Sequence, residues 1–145
     1  MGFKCFNVIG MEKKLRITQE TDYALRIIDY LSKSGCKVVD ASTISEKLKV
    51  PLRFTLKILR KLNLAGLTSA NRGVKGGYYL KKEPREITYK DVLEAIEGDL
   101  YINKCLQDQV NCSRNMKTGE CVINKNLKKI QDKLNMELEK YTFEN

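Results

Sequence analysis

Residues 50–67 read VPLRFTLKILRKLNLAGL, and residues 69–80 read SANRGVKGGYYL. Pro51 has a fixed φ and no amide donor, both harmless in a first turn, so a helix opens there and runs to about Ala65, where Gly66 stops it. At about 100° per residue, Arg53, Lys57, Arg60 and Lys61 fall on one narrow arc, and the rest of residues 52–62 is apolar or Thr55. Leu52, Phe54, Leu56, Ile58, Leu59 and Leu62 are expected to form one broad buried surface behind that arc. Leu67–Ala70 and Tyr78–Leu80 are strand-like runs around Asn71–Gly77, whose three glycines permit positive-φ turns. Together these features predict a helix followed by a β-hairpin.

Upstream, Tyr23, Ala24, Ile27, Ile28 and Leu31 recur at helical spacing between Thr18 and Ser34, and Gly35 supplies a stop. Asp40 or Ser42 caps a short second helix through Leu48, with Ile44 and Leu48 inward, and Val50-Pro51 breaks it. Downstream, Thr88 to Glu97 carries Val92, Leu93 and Ile96 on one face before Gly98, a helix expected to pack beneath the hairpin. Residues 99–121 lack periodicity, whereas Ile123, Leu127, Ile130, Leu134, Leu138 and Tyr141 step down a last helix. That stripe has no evident partner in so small a chain, because a helix of about 20 residues spans roughly 30 Å, about the width of such a domain. The expectation is a homodimer formed through it.

The fold class that follows is mainly α with a small β-hairpin wing: a winged helix-turn-helix plus a long C-terminal dimerisation helix. The chain divides into residues 1–14, an extension expected to be disordered, residues 15–98, the winged helix-turn-helix, residues 99–121, a cysteine-bearing loop, and residues 122–145, the dimerisation helix. Met11 begins a more conventional opening, MEKKLRITQE, than the residues before it.

Lys and Arg outnumber Asp and Glu by 27 to 18, for a formal charge of +9, which favours a polyanionic partner. The distribution is more telling than the total. From Lys47 through Lys82 there are ten basic residues (Lys47, Lys49, Arg53, Lys57, Arg60, Lys61, Arg72, Lys75, Lys81 and Lys82) and no acid. An ordinary solvated face mixes signs, so an acid-free helix and hairpin argue for an anionic surface against them. Arg53, Lys57, Arg60 and Lys61 suit phosphates and guanine edges, Arg72 at the hairpin tip suits a minor groove, and Lys75 suits phosphate. With Phe54 read as buried, exposed aromatic platforms for single-stranded RNA are missing from the basic region apart from Tyr78 and Tyr79, so duplex DNA is preferred.

Five cysteines stand beside no His. The first residues lack the apolar run of a signal peptide and no run approaches membrane-spanning length, which predicts a cytoplasmic chain with reduced thiols and no membrane partner. Cys105, Cys112 and Cys121 share one loop, with six and eight residues between successive thiols, among Gly119, Asn111 and Asn115. Thiolates in such a loop can converge on a soft metal, and iron-sulfur clusters favour cysteine ligation. Structural zinc favours closer ligand pairs and often His, so iron-sulfur is the better expectation. Cys5 and Cys36 are read as bystanders. An enzyme is disfavoured: no nucleotide-binding glycine fingerprint, catalytic His or paired buried carboxylates stand out, and a ferredoxin would show four clustered cysteines.

The opening LRITQETDYALR, the segment VPLRFTLKILRKLNLAGL and the wing SANRGVKGGYYL, followed by a cysteine loop and a long last helix, resemble the IscR/NsrR (Rrf-type) family of bacterial winged-helix regulators from about Leu15 onward. The resemblance implies a homodimer on roughly palindromic operator DNA, with Arg53, Lys57 and Arg72 at positions like those that contact DNA. Leu56 departs from it, standing where some members have a polar base reader. The resemblance also implies a 2Fe-2S or 4Fe-4S cluster on Cys105, Cys112 and Cys121, completed by Asp22 reaching across from the second copy. The loop spacing is longer and less even than in well-studied cluster binders. A metal-free thiol switch on the same three cysteines, or a ligand-responsive regulator of the same fold, is the alternative.

Overall fold

A computed structural model describes residues 17–107, 112, 114, 116 and 119–144; the expected extension at residues 1–14, Cys5, Asn111 and Asn115 lie outside them. Three helices come first: α1 (Gln19–Lys33), α2 (Ala41–Leu48) and α3 (Leu52–Leu64). The hairpin β1 (Thr68–Asn71) and β2 (Gly77–Leu80) follows, then α4 (Tyr89–Glu97), a one-turn α5 (Lys104–Gln107) and the long α6 (Val122–Lys140). The single turn of α5 sits inside the segment expected to be irregular, and four residues are too few to leave a periodic signal.

Local chemistry sets the boundaries. Thr18 caps α1 by accepting from the Thr21 amide, with Glu20 and Asp22 in the positive first turn. Asp40 does the same for α2: the Thr43 hydroxyl, then the Thr43 amide, hold its carboxyl below the ordinary carboxylate value. Thr88 and Asp91 cap α4 reciprocally. Between α2 and α3, Lys49 adopts the left-handed conformation at φ 55°, and this turn sets the two helices against one another.

The core is shared by all the helices of the first hundred residues. Ala24, Ile27, Ile28 and Leu31 from α1 meet Ile44 from α2, Ile58, Leu59 and Leu62 from α3, and Val92 and Ile96 from α4. The expected buried face of α3 is narrower than its apolar composition suggests. Thr55, Ile58, Leu59 and Leu62 are buried, but Leu52, Phe54 and Leu56 are 42%, 48% and 44% exposed. One face of a helix can meet the core, and these three stand to either side of the Thr55–Ile58–Leu59–Leu62 row. Thr55 takes a core position by donating to the Val50 and Pro51 carbonyls.

The main neighbours of α4 are α1, α3 and α6 rather than the hairpin it was expected to underlie. The last helix is also less free than its stripe implied. Leu127 and Leu138 are half-buried, the Tyr89 amide donates to the Tyr141 carbonyl at 2.9 Å, and Thr88 bridges Thr142. Phe143, beyond the helix, enters the core and stacks on Tyr89 at 4.9 Å. Lys90 donates to Glu139 at 2.6 Å, which raises the Lys90 ammonium above its ordinary value. Ile123, Ile130, Leu134 and Tyr141 nevertheless remain 58%, 54%, 39% and 61% exposed.

The hairpin is held to the helical body by backbone alone at one point: Val39 and Tyr78 exchange hydrogen bonds of 2.9 and 2.8 Å, adding a third short strand position beside β2. A Cβ on Gly77 would lie 2.5 Å from the Val39 carbonyl oxygen, and one on Gly76 would lie 2.5 Å from that of Asn71. Gly77→Ala is therefore expected to push the wing off Val39 and cost about 1–3 kcal/mol, as overpacking does elsewhere; a lowered urea midpoint checks it.

Candidate nucleic-acid interface and cysteine loop

Burial of the Thr55–Leu62 face turns the opposite side of α3 outward. Arg53 and Arg60 are exposed there, and Arg72 and Lys75 are exposed at the wing tip; none of the four joins an ion pair among the described residues. The other two predicted contact residues are already engaged. Glu20, in the first turn of α1, pairs with Lys57 at 3.2 Å and with Lys61 at 2.8 Å. Lys61 also donates to the Ile96 carbonyl at 3.2 Å, near the end of α4, where a cation suits the helix dipole. The arc thus splits into a free half, Arg53 and Arg60, and a half tethered to α1. Glu20 is the residue that the sequence reading missed, since an acid 37 positions before its partner leaves no local signal.

Burial pushes the Glu20 carboxyl up, but hydrogen bonds and charge from Lys61 and Lys57 outweigh it and leave the group below its ordinary value of 4.5. A carboxylate held low contributes stability that is complete above that value and fades as the pH falls through the lowered one.

The cysteines are arranged around Asn124, in the first turn of α6. Cys121 occupies the N-cap and its sulfur accepts from the Asn124 amide at 3.5 Å. The Asn124 side-chain amide donates to the Cys105 sulfur at 3.3 Å and to the Cys105 carbonyl at 3.2 Å. One residue thus gathers two of the three loop thiols. Cys112 is half-buried, and Cys36 is exposed and distant in sequence. Asp22 lies on α1, 47% exposed and paired with Arg26 at 2.6 Å. Among the described residues no three His, Cys, Asp or Glu side chains form a ready-made metal site.

A cavity of about 710 Å³ lies between the start of α1, the end of α4, residues 98–102 and α6. Its walls include Ile17, Leu93, Leu100, Tyr101 and Leu134, and Thr18 and Thr21 beside it both donate to Glu97. Gln131, buried in its wall, accepts from the Ile102 amide at 2.7 Å. The cavity joins the segment leading into the cysteine loop to the α1 turn that carries Glu20.

Helix-turn-helix, hairpin wing and outward basic face define a winged-helix DNA-binding protein. The model of the Rrf2 family, described as iron-dependent transcriptional regulators, matches residues 17–145, and the chain belongs to that family. It is 30% identical over 131 residues to protein aau3 of Rhizobium meliloti, covering 90% of this chain and 83% of that one. It is 27% identical over 111 residues to the transcriptional regulator NsrR of Shouchella clausii, covering 76% and 69%. Among solved structures, CymR, the global cysteine regulator of B. subtilis, superposes with a TM-score of 0.71 at 24% identity over 90% of this chain and 94% of that one. T. potens IscR superposes at 0.70 with 22% identity over 89% and 83%. These likenesses establish the winged-helix architecture, and the relatives whose names state a role, NsrR and CymR, are regulators rather than enzymes. No helix among the described residues is long and apolar enough to cross a membrane.

Glu20→Gln is expected to release Lys57, whose neighbour Lys61 keeps the Ile96 carbonyl. The slope of log affinity against log salt on duplex DNA should steepen by about one phosphate contact, near 0.9, while folding stability falls by less than about 1 kcal/mol. Titrations at several salt concentrations, with a denaturant melt of the same variant, check both.

Proposed function

We propose that this chain is a cytoplasmic, homodimeric transcription regulator that binds operator DNA through α3 and the wing and is tuned by an iron-sulfur cluster. In this division residues 15–98 read DNA, residues 99–121 sense, and residues 122–145 pair the subunits. The observation that carries the DNA half is that Arg53 and Arg60 on α3 and Arg72 and Lys75 on the wing are all exposed, in a stretch, Lys47 to Lys82, that holds no acid. Lys57 and Lys61 join it on the side bordered by Glu20.

Support for the sensing half is the gathering of Cys105 and Cys121 at Asn124, with Cys112 between them in the same loop, in a family described as iron-dependent. Three thiolates match the soft donors that a cluster takes, and they fit it chemically, with Cys105 and Cys121 already together. Asp22 fits as a fourth ligand only if it leaves Arg26 and is supplied by the second copy. A bound cluster would supply redox- and nitric-oxide-sensitive iron to the loop. The protein's own part is to hold the three thiolates and carry their movement through residues 98–102 and the cavity to Thr18, Glu20 and the tethered half of α3. The same Asn124 geometry favours a second reading, in which Cys105 and Cys121 form a thiol-disulfide switch without metal; a CymR of Staphylococcus aureus has been solved in an oxidized form.

Protein purified without oxygen decides between them. Visible absorption with matching iron and sulfide, lost on changing Cys105, Cys112 or Cys121 to Ala, is the expected result. A colourless, iron-free protein whose DNA affinity changes on oxidation selects the thiol switch.

Pairing through α6 uses the side chains that the monomer leaves exposed, Ile123, Ile130 and Leu134. Ile130→Glu places a charge in that face without touching the core, and sedimentation should show a monomer with weakened operator binding. An unchanged dimer would move the interface elsewhere.

A further inference from the structure

The exposed apolar side chains of α3 are not spread at random. Leu56 and Phe54 are 44% and 48% exposed and stand outside the core cluster. Taking the Thr55–Ile58–Leu59–Leu62 row as the inward direction, Leu56 lies on one flank of the basic arc and Phe54 on the other. Leu56 is three residues after Arg53 and four before Arg60, so the three share one surface row. Both apolar residues sit in the first half of the helix, the part of a recognition helix that meets base edges.

The polar chemistry of this face is one-sided. Arg53, Lys57 and Arg60 are donors only. Asn63 is the sole amide on α3, and its carbonyl oxygen accepts from the Thr68 hydroxyl; Thr55 is buried and turned to the backbone. The outward face therefore has no free acceptor for the amino group of cytosine or adenine. It can recognise guanine, which presents two acceptors in the major groove, and it can recognise thymine only through the 5-methyl group and the O4 acceptor. Water leaves an exposed Leu and Phe unsatisfied; a thymine methyl gives each an apolar partner.

We propose that Leu56 and Phe54 are specificity-determining residues that read thymine 5-methyl groups, so that each operator half-site carries thymines beside the guanines met by Arg53 or Arg60. This rests on the operator-binding reading above and names the bases that it would select.

The test uses the full chain and a duplex enriched from a random library. Each thymine of the enriched site is replaced singly by deoxyuridine, which removes the methyl and keeps the pairing, and affinities are compared for the wild type, Leu56→Ala and Phe54→Ala. At one or more positions per half-site, deoxyuridine should weaken the wild type about fourfold, the value of burying one methyl group. That sensitivity should vanish at one position in Leu56→Ala or Phe54→Ala, whose exposed sites leave folding intact by circular dichroism. Indifference to deoxyuridine throughout, or equal sensitivity in all three proteins, overturns the proposal while leaving operator binding in place. Failure to enrich any duplex overturns operator binding itself, and the methyl readers with it.

Discussion

The outward basic face of α3 depends on one row of side chains on its opposite side. Thr55, Ile58, Leu59 and Leu62 are closed off from solvent between α1, α2 and α4, and with them the rotation of α3 about its own axis is settled. Interiors pack as densely as organic crystals, so a helix seated by three branched aliphatic side chains and a hydroxyl bonded to its own backbone has little freedom to roll. Arg53, Leu56 and Arg60 face outward because the opposite row cannot. The αL turn at Lys49 then sets α2 against α3, and the Val39–Tyr78 backbone exchange fixes β2 to the segment that leads into α2.

Charge is managed around this constraint. A helix crowded with cations repels itself, and Glu20 relieves part of that strain by reaching from α1 to Lys57 and Lys61. The same contact ties the basic face of α3 to the first turn of α1. That turn is in turn bonded to Glu97 through Thr18 and Thr21, and it borders the cavity entered by residues 98–102. A chain of packed and hydrogen-bonded groups therefore runs from the root of the cysteine loop to half of the basic arc.

The C-terminal helix serves two surfaces. Its end is anchored by Phe143 on Tyr89, by the Thr88–Thr142 bridge and by Lys90 with Glu139. Its beginning carries Asn124, which draws Cys105 and Cys121 together. Between them, Ile130 and Leu134 face solvent. A helix fixed at one end and bonded to the cysteine loop at the other is suited to passing a change in that loop to whatever lies against its open side.

The helices, the hairpin and the basic stretch could be read from sequence because each is written in neighbouring residues: periodic apolar positions, caps at Thr18, Asp40 and Thr88, glycines around the wing, and ten cations without an acid. What depended on distant residues could not. Composition marked Leu52, Phe54 and Leu56 as core, yet only the seating of α3 decided that they stand in solvent. Lys57 and Lys61 looked equivalent to Arg53 and Arg60 until Glu20 arrived from another helix, and the last helix looked unpartnered until Phe143 and Tyr89 met. Sequence determines which faces are apolar or charged, because that is local chemistry; only tertiary structure decides which apolar face is covered and which charge is neutralised, because each residue has room for few neighbours and the partners lie far along the chain.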